Sequence, residues 1–196
     1  LLTGTATADF TGISIDAIDS GLGIGTTYRI YADMDAGGQL NAVYGDDVNA
    51  LNIAATTSFF QDGFGGNTPP SAALFPFFPT LEYDSFVTIG LLDDAGDAML
   101  DIGIDWSGFE AGGAIWTDNG TWFATPADPQ VFEDGGRVLI AQFTTDGDVN
   151  GTINLQGKNA DLSNWNALGV DFSTIPAPGA LALLGLAGLA ARRRRK

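Results

Sequence analysis

Gly136-Arg137-Val138-Leu139-Ile140-Ala141-Gln142-Phe143-Thr144 is apolar at successive positions from Val138 to Ala141. A strand that is apolar on both phases of its alternation is covered on both faces, so this run predicts the central strand of a sheet. Downstream, Gly151-Thr152-Ile153-Asn154-Leu155-Gln156-Gly157 alternates cleanly and puts Ile153 and Leu155 on one face. Upstream, Thr26-Thr27-Tyr28-Arg29-Ile30-Tyr31-Ala32 and Phe86-Val87-Thr88-Ile89 are rich in β-formers and predict two further strands. A hairpin is expected where Ile115-Trp116-Thr117-Asp118 and Thr121-Trp122-Phe123-Ala124 flank Asn119-Gly120. Asn-Gly tolerates the positive φ angles of a type I′ turn, which would set Trp116 opposite Phe123 and Thr117 opposite Trp122.

Glycine is abundant, with 27 residues, and no stretch before residue 175 carries a long, capped helical period. The expected fold is therefore mainly β: an antiparallel β-sandwich or jelly roll, followed by a short hydrophobic C-terminal helix. Residues 61–80 break the strand pattern. Gln61-Asp62-Gly63-Phe64-Gly65-Gly66-Asn67-Thr68-Pro69-Pro70 is loop chemistry, and Leu74-Phe75-Pro76-Phe77-Phe78-Pro79 follows it. These phenylalanines are expected to close over one end of the sandwich, with an exposed aromatic platform as the alternative.

The C-terminal segment obeys different rules. After Ile175 come Pro176-Ala177-Pro178, then Gly179-Ala180-Leu181-Ala182-Leu183-Leu184-Gly185-Leu186-Ala187-Gly188-Leu189-Ala190-Ala191, then Arg192-Arg193-Arg194-Arg195-Lys196. The prolines disfavour helix before them, so a helix can begin only at about Pro178 or Gly179. Its apolar run covers every face, which argues for a membrane rather than a core stripe. Such a helix is roughly 20 Å long, against about 30 Å of bilayer hydrocarbon. It makes a short anchor, and the basic end would stay cytoplasmic by the positive-inside bias.

Pro176-Ala177-Pro178, the Ala/Leu/Gly helix and the arginine cluster together resemble the PEP-CTERM sorting signal of exported bacterial proteins. In that family a Pro-Glu-Pro tripeptide precedes the helix, and here Ala177 stands in place of the Glu. The resemblance implies processing by an exosortase-type membrane transpeptidase near Pro176–Pro178. It covers 22 of 196 residues and implies nothing about the body's activity. The segments Tyr83–Gly90, Val138–Gln142 and Gly151–Gly157 resemble an uncharacterised module of exported bacterial proteins, a likeness that carries no site. At the other end, Leu1-Leu2-Thr3-Gly4-Thr5-Ala6-Thr7-Ala8 closes on an Ala-x-Ala pattern and is expected to be the end of a truncated signal peptide. The domain division expected is thus residues 1–8 as signal, 9–174 as β-sandwich and 175–196 as sorting signal.

Charge excludes some functions. The chain carries −16 overall, and five of its eight basic residues lie in the C-terminal segment. Arg29, Arg137 and Lys158 are the remaining cations, against 24 carboxylates. That balance repels phosphate backbones and argues against nucleic-acid binding. Cysteine and histidine are both absent, which removes thiolate chemistry and the commonest general base and zinc ligand.

Asp146-Gly147-Asp148-Val149-Asn150-Gly151 matches the first half of a calcium loop, with Asp146, Asp148 and Asn150 as ligands. Gly157 stands where the bidentate Glu of the twelfth position belongs, so the full loop is absent, and calcium is a candidate on a partial loop rather than an expected cofactor. Catalysis would need two facing carboxylates among Glu82, Glu110 and Glu133, or one of them with an Asp. Nothing in the sequence asks for it, and no enzyme is expected. The expectation is an exported, surface-sorted structural or adhesive protein of the bacterial envelope or extracellular matrix. It would pass through the inner membrane and end at the cell surface or outside the cell. The alternative is a carbohydrate-binding module that takes an extracellular polysaccharide on Trp106, Trp116, Trp122 or the Phe75–Phe78 loop.

Overall fold

A computed structural model describes residues 10–175. The expected signal end at 1–8, the sorting tripeptide Pro176–Pro178, the apolar helix and the basic end at 192–196 lie outside the described residues. Among those described, no helix is long and apolar enough to cross a membrane.

Two antiparallel sheets pack face to face, as the strand pattern predicts. The strands of the first are β1 (Phe10–Asp19), β2 (Thr26–Met34), β5 (Phe86–Val87) and β9 (Arg137–Thr145), in the order β1-β2-β9-β5. The 136–144 run thus becomes β9, an inner strand buried from Val138 to Thr145. In β2 the residues Ile30, Ala32 and Met34 alternate into the core, while Arg29 and Tyr31 look outward.

The second sheet holds β3 (Gln39–Gly45), β4 (Leu51–Ala55), β6 (Leu100–Ile102), β7 (Ile115–Thr117), β8 (Gly120–Phe123), β10 (Val149–Lys158) and β11 (Asn164–Ser173). Both β3 and β4 pair with β10, β4 with Val149–Thr152 and β3 with Asn154–Lys158. They therefore lie end to end along one edge of β10, and β11 covers the other. Asn154 knits the break between them: its Nδ2 donates to Asn49 O (2.7 Å), and its Oδ1 accepts from Gly169 N (2.9 Å).

The expected hairpin at Asn119-Gly120 is overturned. β7 pairs with β4, with Trp116 opposite Asn52, and β8 pairs with β3, with Trp122 opposite Val43. The chain runs on from β7 to β8 instead of reversing. Neither Asn119 nor Gly120 has a positive φ, so there is no type I′ turn. Gly120 is needed for another reason. A Cβ there would lie 2.6 Å from both Gly103 O and Thr117 Oγ1, so only glycine lets the 103 turn pack this closely.

The core between the sheets joins Ile30, Val138 and Ile140 to Val43, Ile53, Trp122, Ile153 and Leu155. The loop phenylalanines do not cap it. Phe77 is 75% exposed, and Phe64 stacks on Phe78 at 4.1 Å on the surface. Phe59 and Phe109 close that region instead, packing on Phe143 at 4.9 and 6.1 Å. Phe75–Phe78 lies between two 3-10 turns, Ala72–Leu74 and Pro79–Tyr83, with Pro76 inside it and Pro79 directly after it.

Candidate functional site

The outer face of the larger sheet carries apolar side chains where a solvated face should be polar. Leu100 and Ile102 of β6 are 59% and 66% exposed. Next to them, Phe123 pairs with Leu100 on one side and with Ala42 on the other, while Thr121 links Ile102 to Tyr44. Tyr44 and Phe123 are consequently diagonal neighbours on one face, a spacing that long aromatic side chains bridge. Both rings are half-buried.

These strands form the floor of a cleft of about 710 Å³. Asn41, Asn119, Gln156 and Asn164 bring carboxamides to it, and Asp46 and Lys158 bring one charge of each sign. Lys158 Nζ donates to Asn164 Oδ1 at 2.9 Å. Burial, and then the carboxylate of Asp46, push the Tyr44 phenol above its ordinary range, which keeps it a neutral donor. Rings and amides with little net charge suit reversible binding of an uncharged, hydroxyl-rich ligand.

The aromatic residues singled out in the sequence do not form a row. Trp122 is fully buried and gives its Nε1 to Thr88 O at 3.2 Å. Trp106 is half-buried against Phe109 and Trp122, and its Nε1 donates to Asp101 Oδ1 at 2.9 Å. Trp116 is 57% exposed on the outer face but stands beside Asn52, outside the cleft.

The expected calcium ligands fall at the β9–β10 turn. Asp148 Oδ1 accepts from Thr174 Oγ1 (3.4 Å), and Asn150, already in β10, accepts from Ser173 Oγ at 2.7 Å. Asp146 is exposed. Among the described residues no group of three or more acidic side chains is placed to hold a metal ion. Of the glutamates, Glu82 is on the 3-10 turn before β5 and Glu110 ends the short helix α1 (Ser107–Glu110). Glu133 accepts from Gly37 N (3.0 Å) and Gly136 N (2.7 Å), and these bonds hold its carboxyl below the usual range. None of the three lines the cleft.

The sequence reading missed the cleft because its residues come from strands far apart in the chain. One signal was available: Trp122-Phe123 and Leu100-Asp101-Ile102 place large apolar groups on the phase that should meet water. No family model, curated protein or solved structure matches the chain.

Proposed function

We propose that this chain is an exported adhesive protein of the bacterial envelope or extracellular matrix, anchored or processed through its C-terminal segment. The observation that carries this reading is the direction of β11. It starts at Asn164, on the cleft, and ends at Ser173, just before the chain enters Pro176-Ala177-Pro178 and the apolar run. Its ten residues separate the two ends by roughly 30 Å at about 3.3 Å per residue. A tether after Ile175 would hold the cleft on the far side of the domain, open to partners.

In this reading the run Gly179–Ala191 halts in the inner membrane, and Arg192–Lys196 keep their cytoplasmic side. An exosortase-type transpeptidase then cuts near Pro176–Pro178 and releases or re-attaches the body. The domain itself does no chemistry; it binds. The test is mass-spectrometric mapping of the C-terminus in the envelope and medium of the producing cell. Surface material ending near Pro178 is the expected result. A C-terminus intact through Lys196, confined to the membrane fraction, would overturn the processing step. Unchanged sorting after Arg192–Lys196 are replaced by Glu would overturn the orienting role of the basic end.

A second reading, a carbohydrate-binding module at the cell surface, draws on the cleft itself. Half-exposed Tyr44 and Phe123 beside a set of carboxamides fit a sugar better than they fit a flat protein surface.

A further inference from the structure

We infer that the cleft takes a neutral oligosaccharide and that the carboxamide of Asn41 is the donor that recognises it. This rests on the reading of the cleft as a carbohydrate site and adds the residue and the charge class that set its specificity. Leu40 and Ala42 pair with adjacent residues of β10, Gly157 and Gln156, so Asn41 is the extra residue of a β-bulge. Bulges re-aim a side chain out of the ordinary alternation. Here the bulge brings a carboxamide to the cleft wall, and Asn41 O fixes the backbone by accepting from Ala124 N at 2.9 Å.

Asn41 is only 7% exposed, and its Nδ2 has no hydrogen-bond partner among the described residues. A buried donor left unpaired is costly, and native proteins rarely keep one without use. The torsion that turns an Asn carboxamide is soft. Nδ2 is itself closed off from solvent, so this rotation is what would present it to a ligand hydroxyl or ring oxygen in the cleft. The amide gains the acceptor it lacks.

The rest of the lining selects a sugar without charge. The apolar face of a pyranose ring matches Tyr44 and Phe123, and its edge hydroxyls match Gln156 and Asn164, which both donate and accept. Asp46 and Lys158 cancel. A body holding three cations against 24 carboxylates repels a polyanion before it reaches the site.

The test is calorimetric titration of the full chain with cellohexaose, laminarihexaose, mannohexaose and chitohexaose, and with an oligogalacturonate as the polyanion. At least one neutral probe is expected to bind. Asn41→Leu is expected to weaken that binding about tenfold while the unfolding midpoint stays level or rises, because the unpaired donor is gone. Gln156→Ala, a substitution on the exposed rim, is expected to weaken binding without touching the core, and Trp116→Ala to leave it unchanged. Silence from all four neutral probes, unchanged binding in both cleft variants, or preference for the oligogalacturonate would overturn the inference. Cell adhesion that persists when both cleft variants have lost the sugar would overturn the adhesive use of the cleft and leave the inference standing. Faulty sorting with binding intact would overturn the sorting role alone.

Discussion

The carboxylate of Asp84 fills the space that a side chain on Gly65 would occupy. Asp62 N donates to its Oδ1 at 2.7 Å and Gly66 N to its Oδ2 at 3.2 Å, so the 62–66 turn wraps one buried acid. Thr80 Oγ1 adds a bond to Asp62 Oδ2 at 2.6 Å. The long segment between β4 and β5, which holds only two short 3-10 turns, is thereby pinned from inside. Gly65→Ala is expected to force the acid or the turn to move, at a cost of about 1–3 kcal/mol. Gly63→Ala meets open space and is expected to be neutral or slightly stabilising. Urea unfolding midpoints of the two variants check this pair. Equal midpoints would sink it.

The same acid makes stability depend on pH. Burial pushes the Asp84 carboxyl up to about 7, against the opposing pull of the backbone N–H groups of Asp62, Ser85 and Gly66. An unfolded chain releases that proton at about 3.9. Between about pH 4 and 7 the folded form holds a proton that the unfolded form has lost, so stability falls as pH rises through that window. Below it the contribution is complete, and above it the loss is complete. Asp84→Asn is expected to flatten this part of the profile, because a carboxamide does not titrate. Urea midpoints at pH 4.5 and pH 7.5 for both proteins give the comparison, and an identical slope would rule Asp84 out.

The course of β7 and β8 can be checked by cross-linking, because the chain has no cysteine of its own. Asn52 and Trp116 are directly opposed on neighbouring strands, where Cβ atoms come within about 4.5–5.5 Å. The double substitution Asn52→Cys with Trp116→Cys is expected to close a disulfide under mild oxidation. The pair Trp116→Cys with Phe123→Cys, opposed only in a hairpin, is expected to stay reduced. The reverse outcome would restore the hairpin.

That hairpin shows where sequence reading stops. Val138–Ala141, Ile30–Ala32 and Ile153/Leu155 announced their strands because burial on one or both faces leaves its period in the residues themselves. Asn119-Gly120 looked like a turn because the dipeptide suits positive φ, yet here Gly120 is demanded by the approach of Gly103 from another part of the chain. The sequence carries the requirement for glycine but not its cause. The cleft is hidden in the same way. Asn41 looks like any strand asparagine until the bulge in the β3–β10 pairing turns it to the wall, and that register depends on both strands at once. The strands β1, β3, β4, β6 and β11 were not foreseen: β4 and β6 are short, β3 interrupts its apolar residues with Gln39 and Asn41, and β1 and β11 carry mostly half-buried or exposed positions at sheet edges.

The four tryptophans offer the sharpest contrast in stability, and Trp122 and Trp116 are its extremes. Trp122 sits fully buried between the sheets, packs on Trp106 and bonds Thr88 O through Nε1. Truncation removes a large apolar group and leaves a cavity that the two sheets cannot close, so Trp122→Ala is expected to cost about 3–5 kcal/mol. Trp122→Phe keeps most of the volume and strands the Thr88 carbonyl, for a loss of about 1–3 kcal/mol. Trp116 differs by six positions in sequence but stands on the outer face, 57% exposed. Trp116→Ala is expected to stay within about 0.5 kcal/mol of the parent, since it touches neither core nor cap. Denaturant unfolding followed by circular dichroism measures all three. Tryptophan fluorescence adds an independent reading, because Trp116→Ala should lower the fraction that is quenched by acrylamide in the folded state, leaving the half-buried Trp106 and Trp165. A costly Trp116→Ala or a harmless Trp122→Ala would mean that β7 and β8 present the opposite faces to the core.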